Sequence, residues 1–104
     1  MKTIVENEVI KKAKENHQNA FNILFNTYWD NVYSFLNSRV SNKNLAEELA
    51  IETFAKAFDR IHSFDENKSF GAWILTIAKN HHIDRYRKSK HLQENLKETN
   101  EISC

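Results

Sequence analysis

The 104-residue chain has no proline, one glycine (Gly71) and one cysteine (Cys104). Proline and glycine punctuate sheets and turns, so their near absence argues for helices joined by short polar connections. A single glycine also excludes a glycine-rich phosphate loop. One cysteine excludes an internal disulfide and a thiolate metal cluster, and it fits a reduced, cytoplasmic setting. No apolar run approaches the roughly 20 residues of a membrane-spanning helix. The opening stretch, MKTIVENEVIKKAKEN, is too acidic and too poor in apolar residues for a signal peptide. The length suits one domain with a modest core and no membrane insertion.

The chain also lacks a strong net charge, at +1, but the charges are unevenly spread. Over residues 44–66 the acidic Glu47, Glu48, Glu52, Asp59, Asp65 and Glu66 face only Lys56 and Arg60. Over residues 79–90 the basic Lys79, Arg85, Arg87, Lys88 and Lys90 face only Asp84. An acidic face and a basic face suggest two different partners; the plainer alternative is a solvated surface with accidental clustering.

What is abundant is apolar residues at helical spacing. Residues 4–14 make a short amphipathic helix with Val5, Val9, Ile10 and Ala13 on one side. Phe21, Leu24, Phe25, Tyr28, Val32, Phe35, Leu36 and Val40 then recur at steps of three and four, drawing one apolar stripe. The polar run 41–44 breaks it. Asn44, with Glu47 three residues on, is expected to cap a third helix whose Leu45, Ala46, Leu49, Ala50, Phe54, Ala57, Phe58 and Ile61 face inward. Residues 62–69 form a polar loop around Phe64, and Ser69 is placed to cap a fourth helix. In that helix Phe70, Trp73, Ile74, Ile77 and His81 share one side, while Lys79, Ile83, Tyr86 and Lys90 lie nearly opposite. After Lys90 the period fades into an extension or linker, residues 91–104. The expected fold is all-α: a compact bundle of three main helices plus a short N-terminal helix, within residues 1–90.

Little in this pattern converges as an enzyme would require. His81 and His82 are adjacent on a helix and point about 100° apart, so they do not share a metal easily. Glu47 and Glu48 diverge in the same way. No catalytic residue, metal or cofactor is expected. The basic end fits nucleic acid better. Lys and Arg neutralise phosphates whatever the sequence, and a ring beside them, Tyr86, can stack an unpaired base. Asn80 can donate and accept toward a base edge. Asp84 is expected to pair with a nearby arginine, and Trp73 and His81 to pack in the core.

Three blocks, in this order and spacing, carry a family resemblance: residues 20–40 (AFNILFNTYWDNVYSFLNSRV), 46–58 (AEELAIETFAKAF) and 64–88 (FDENKSFGAWILTIAKNHHIDRYRK). Together they resemble region 2 of the extracytoplasmic-function (ECF) sigma factors, promoter-reading subunits of bacterial RNA polymerase in the sigma-70 family. The resemblance implies that Glu47, Glu48, Ile51, Glu52, Lys56 and Asp59 meet the clamp helices of the largest polymerase subunit. Ile51 departs from the family, which commonly has glutamine there. The resemblance further implies that the loop of His62, Ser63, Phe64, Asp65, Glu66, Asn67, Lys68 and Ser69 holds a base flipped from the promoter minus-ten element. Lys79, Asn80, Arg85, Tyr86 and Arg87 then meet the melted, single-stranded DNA, and Phe64 anchors the loop to the bundle. An anti-sigma factor is an implied partner. Nothing after Lys90 is long or periodic enough for the family's region 4. Glu48 and Glu52 lie off the apolar stripe, so reversing both charges is expected to leave the fold intact. An alternative of another class stays open: a helical protein-interaction module that binds a partner helix along residues 46–61 and has no DNA function.

Overall fold

The computed structural model of the chain describes residues 4–103, and the side chains of residues 6–90. It has four α-helices: α1 (Ile4–Lys14), α2 (Gln18–Val40), α3 (Lys43–Asp59) and α4 (Phe70–Ser103). A single 3-10 turn, Ile61–Ser63, follows α3. No strand occurs among the described residues, so the all-α expectation of three main helices and a short first one holds. The α4 backbone continues as helix past Lys90, where the apolar period fades. The side chains of Val5, His91 and Cys104 lie outside the described residues.

The expected stripes are the core. Ile10 and Ala13 of α1, Leu24, Val32 and Leu36 of α2, and Leu49, Ala50, Phe54 and Ala57 of α3 are buried together with Phe70, Ile74, Ile77 and Ala78 of α4. Helix α2 packs against all three other helices, and α3 packs against α4 as well. Thr53 is buried among them because its Oγ1 donates to the Leu49 carbonyl at 2.7 Å, which satisfies the hydroxyl within its own helix.

Aromatic rings join the helices in two groups. Between α2 and α3, Phe25 lies 4.8 Å from Phe54 and 5.1 Å from Trp29, and Phe21 lies 4.8 Å from Phe58. At the start of α4, Phe70 lies 5.1 Å from Tyr28, 5.5 Å from Phe64 and 5.6 Å from Trp73. Such pairs add about 0.5–1.5 kcal/mol each beyond the area they bury. Gly71 belongs to this second group: a Cβ there would stand 3.1 Å from Tyr28 Cε1, closer than ordinary contact.

The helix ends differ from expectation at one point. Helix α2 ends at Ser41 in the left-handed region (φ 52°), with its N–H donating to the Asn37 carbonyl at 2.9 Å. That bend leaves the next residue, Asn42, extended (φ −145°, ψ 111°), and its side chain accepts from the Leu45 N–H at 3.1 Å. The cap of α3 is therefore Asn42 rather than Asn44, which already lies inside the first turn, and Glu47 completes no capping box. Ser69 caps α4 as expected, its Oγ accepting from the Ala72 N–H at 3.2 Å.

Replacing Asn42 with alanine should lower unfolding free energy by about 1 kcal/mol. Asn44→Ala, at a site that makes no cap, should change it by less than about 0.5 kcal/mol. Urea melts of the two variants check this; equal losses would restore Asn44 as a cap.

Candidate nucleic-acid and partner interface

The loop between α3 and α4 is pinned at its apolar positions and open at its polar ones. Ile61 and Phe64 are buried, whereas His62, Ser63, Asp65, Asn67, Lys68 and Ser69 are exposed and Glu66 is half-buried. The Phe64 ring lies 4.9 Å from Trp73, so it anchors the loop and does not face outward. Beyond it the chain makes a tight turn. The Asp65 carboxylate accepts from the Asn67 N–H at 2.9 Å, and the Lys68 N–H donates to the Asp65 carbonyl at 2.9 Å. An aspartate that bonds the backbone two residues on mimics a turn, which lets the loop fold without glycine or proline. Lys14 of α1 closes the loop from behind: its Nζ donates to the Phe64 carbonyl at 2.7 Å and lies 3.8 Å from Glu66.

On α4 the expected contact residues Lys79, Asn80, Tyr86 and Arg87 are exposed, Tyr86 at 63%. At 1.5 Å per residue they stand about 15–27 Å along the helix from its Ser69 cap. Loop and basic face thus form two stations on one rigid element.

Arg85 behaves differently. Its Nη1 donates to Glu52 Oε1 at 2.8 Å and lies 3.7 Å from Glu48. His81 Nε2 is 2.7 Å from the same Glu52 oxygen and donates to it, since a carboxylate can only accept. The Nδ1 of the buried His81 has no hydrogen-bond partner among the described residues. Burial pushes the Glu52 carboxyl up, but the His81 hydrogen bond and the Arg85 charge outweigh it and hold the group below the usual carboxylate range. Two expectations change. Glu52 is a tie between α3 and α4, so reversing its charge would bring like charge against Arg85 and strain the bundle. Asp84, expected to pair with an arginine, forms no ion pair among the described residues, because the neighbouring Arg85 points toward α3.

The outer face of α3 carries the remaining partner candidates. Glu47, Glu48, Ile51 and Asp59 are exposed, Ile51 at 50%, and Glu52 and Lys56 are half-buried at the border with α4. A cavity of about 250 Å³ lies there, lined by Lys56, His81, Asp84, Arg85, Arg87 and Lys88. A second cleft, of about 340 Å³, joins Tyr86 to Arg39, Val40, Leu45 and Leu49. Neither Arg39 nor Lys14 stood out in the sequence. Lys14 acts across the fold on a residue 50 positions away, which no local spacing signals, whereas Arg39 sits 4.8 Å over the Phe35 ring of its own helix and borders the Tyr86 cleft. No three metal-ligating side chains converge among the described residues, and no helix is long and apolar enough to cross a membrane.

Beside this geometry of a capped helix, a turn-built loop before it and cations along it stands the likeness of the chain to known proteins. Residues 24–91 match Sigma-70 region 2. Over 84 residues the chain is 38% identical to the ECF RNA polymerase sigma factor BldN of Streptomyces coelicolor, covering 80% of this chain and 32% of that protein. It is 40% identical over 81 residues to the ECF RNA polymerase sigma factor SigW of Bacillus subtilis, covering 78% of this chain and 43% of that protein. The fold is similar to an engineered region 2 of sigmaE solved by NMR in complex with GTAAAA, with a TM-score of 0.75, 26% identity, and coverage of 85% of this chain and 90% of that one. The chain belongs to the Sigma-70 region 2 family. It spans less than half the length of these two sigma factors.

The lowered pKa of Glu52 sets a pH dependence. The folded protein holds fewer protons at this site than the unfolded chain, whose carboxyl titrates near 4.5. The stabilisation is therefore fully present above that value and is lost as pH falls through the lower folded value. Glu52→Gln, which keeps the shape and removes the charge, should cost on the order of 1 kcal/mol at neutral pH, since solvent screens a partly exposed pair. Thermal melts of both proteins across pH should show the gap closing below about pH 4.5. A gap that stays constant into acid would mean that the carboxylate charge is not what holds the helices.

Proposed function

We propose that this chain is the region 2 domain of an ECF-type transcription initiation factor, which binds RNA polymerase on one face and the promoter minus-ten element on another. The observation that carries this is the likeness, over most of the chain, to a sigmaE region 2 in complex with GTAAAA. The exposed loop and the cation row of α4 support it. In this reading the exposed loop residues receive a flipped base. Flipping costs a few kcal/mol. A pocket that binds only the flipped base offsets that cost and shifts the duplex toward the open state. Phe64 holds the loop in shape from within, Lys79 and Arg87 neutralise phosphates, and Tyr86 and Asn80 meet bases. The polymerase carries out the chemistry.

The outer face of α3, with Glu47, Glu48, Ile51, Glu52, Lys56 and Asp59, is the proposed contact for the polymerase clamp helices. Within about 140° of arc it presents Glu47, Glu48, Ile51, Glu52 and Asp59, an acidic rim around one apolar side chain. The exposed Ile51 is suited to bury against an apolar groove between cations. The proposal extends to a domain comprising residues 1–90 followed by an extension, to action in the cytoplasm, and to control by an anti-sigma factor.

Two sets of variants test this. Glu47→Lys with Asp59→Lys alters two exposed acids that form no ion pair among the described residues, so the fold should survive. Binding to a clamp-helix fragment should weaken by about 1.5–3 kcal/mol for each charged hydrogen bond lost. Unchanged affinity in a pull-down would remove α3 from the interface. The second set measures affinity for single-stranded GTAAAA and a scrambled strand over a salt series. Lys79→Ala and Arg87→Ala should each reduce the salt slope by about 0.7 and weaken both strands alike. Arg85→Ala should reduce the slope less and lower the melting temperature, because Arg85 is engaged with Glu52. Equal affinity of the wild type for both strands would reduce the role to non-specific strand binding by the basic helix, and no binding to either would favour the interaction module without DNA function.

A further inference from the structure

We infer that α1 sets the shape of the base-capture loop, and that Lys14 is a positioning residue for strand preference; this rests on the function proposed above. Helix α1 lies before the segment matched to Sigma-70 region 2, which begins at residue 24. Even so, it grips the loop directly at one point and the start of α4 indirectly. Within the loop, Lys14 Nζ donates to the Phe64 carbonyl at 2.7 Å and stands 3.8 Å from the Glu66 carboxylate. Just past the loop, Tyr28 of α2 donates its hydroxyl to Glu6 of α1, while its ring packs 5.1 Å from Phe70 and against Gly71. The helix is itself fixed, because Ile10 and Ala13 are fully buried.

The physical consequence is specific. The Phe64 carbonyl is the last backbone acceptor before the turn at residues 65–68, so its direction sets where that turn points. An ammonium donor with a nearby carboxylate holds a carbonyl more firmly than water would, since a charged donor makes the stronger hydrogen bond. Lys14 is half-buried with its charge committed to the loop, so it is not presented to a DNA phosphate. Its effect on a bound strand must pass through loop geometry.

The test uses the full chain with Lys14→Met, which keeps the aliphatic stem over the core and removes the donor, and Lys14→Arg, which restores a charged donor. Each is titrated with single-stranded GTAAAA, with variants changed one base at a time, and with a scrambled strand, across salt. Amide hydrogen exchange is followed over residues 61–69. Lys14→Met should lose about fivefold in preference for the favoured strand, the effect of one hydrogen bond. The scrambled affinity and salt slope should be unchanged, loop amides should exchange faster, and Lys14→Arg should recover much of both. A reduced salt slope in Lys14→Met would make Lys14 a phosphate contact and overturn the inference. So would loop amides that keep their wild-type protection, whatever the DNA result. A wild type with no strand preference overturns the base-capture reading instead, and the exchange data then decide the role of Lys14 separately.

Discussion

The ring of Phe64 is where three parts of the molecule meet. It packs edge-on to Phe70 and against Trp73, and so fixes where α4 begins relative to the preceding loop. Its carbonyl is taken by Lys14, and so α1 is fixed to the same point. A polar loop without glycine or proline has little intrinsic shape, and ordering each residue costs about 1–2 kcal/mol of backbone entropy. Burial of one aromatic ring in a cluster of three others offsets part of that cost at a single position. The exposed residues on either side then project in defined directions while remaining in water.

Glu52 is the second node. One carboxylate oxygen accepts from His81 and from Arg85, which ties α3 to α4 by polar contacts beside the apolar ones. The consequence reaches the proposed function, because the acidic face of α3 and the basic face of α4 touch along this border. A cationic group arriving at Glu48 or Glu52 competes with Arg85, and an anionic group arriving at Arg85 competes with those glutamates. The two proposed partners therefore act on a shared set of charges. Lys79 and Arg87 form no ion pair among the described residues, although Arg87 lines the cavity at this border, which separates the cations available to a strand from the one engaged in holding the fold.

Much of this was legible in the residue order. The steps of three and four in α2 and α3 correctly mark their buried sides, since an amphipathic helix must turn its apolar stripe inward wherever it packs. The block order 20–40, 46–58 and 64–88 pointed to the family, and the matched segment 24–91 agrees with it. Phe64 stood out as the one apolar residue in a polar loop, and Ser69 as a cap, both on local grounds that the structure bears out. Asn44 misled because two asparagines of equal capping ability lie two residues apart. Only the left-handed turn at Ser41 selects Asn42.

What the sequence determined by itself was the helical class, the faces that are buried and the residues available at the surface, because those follow from period, composition and local capping chemistry. What the tertiary structure decided was which charges remain available. Arg85, Arg87 and Lys79 are equivalent cations in a string of letters, yet helix phase and the approach of α3 direct only Arg85 onto Glu52. Lys14 is an ordinary basic residue in a short amphipathic helix until packing brings it to a carbonyl 50 positions away. Side-chain partners across a bundle depend on distance and direction between elements, and no local pattern encodes either.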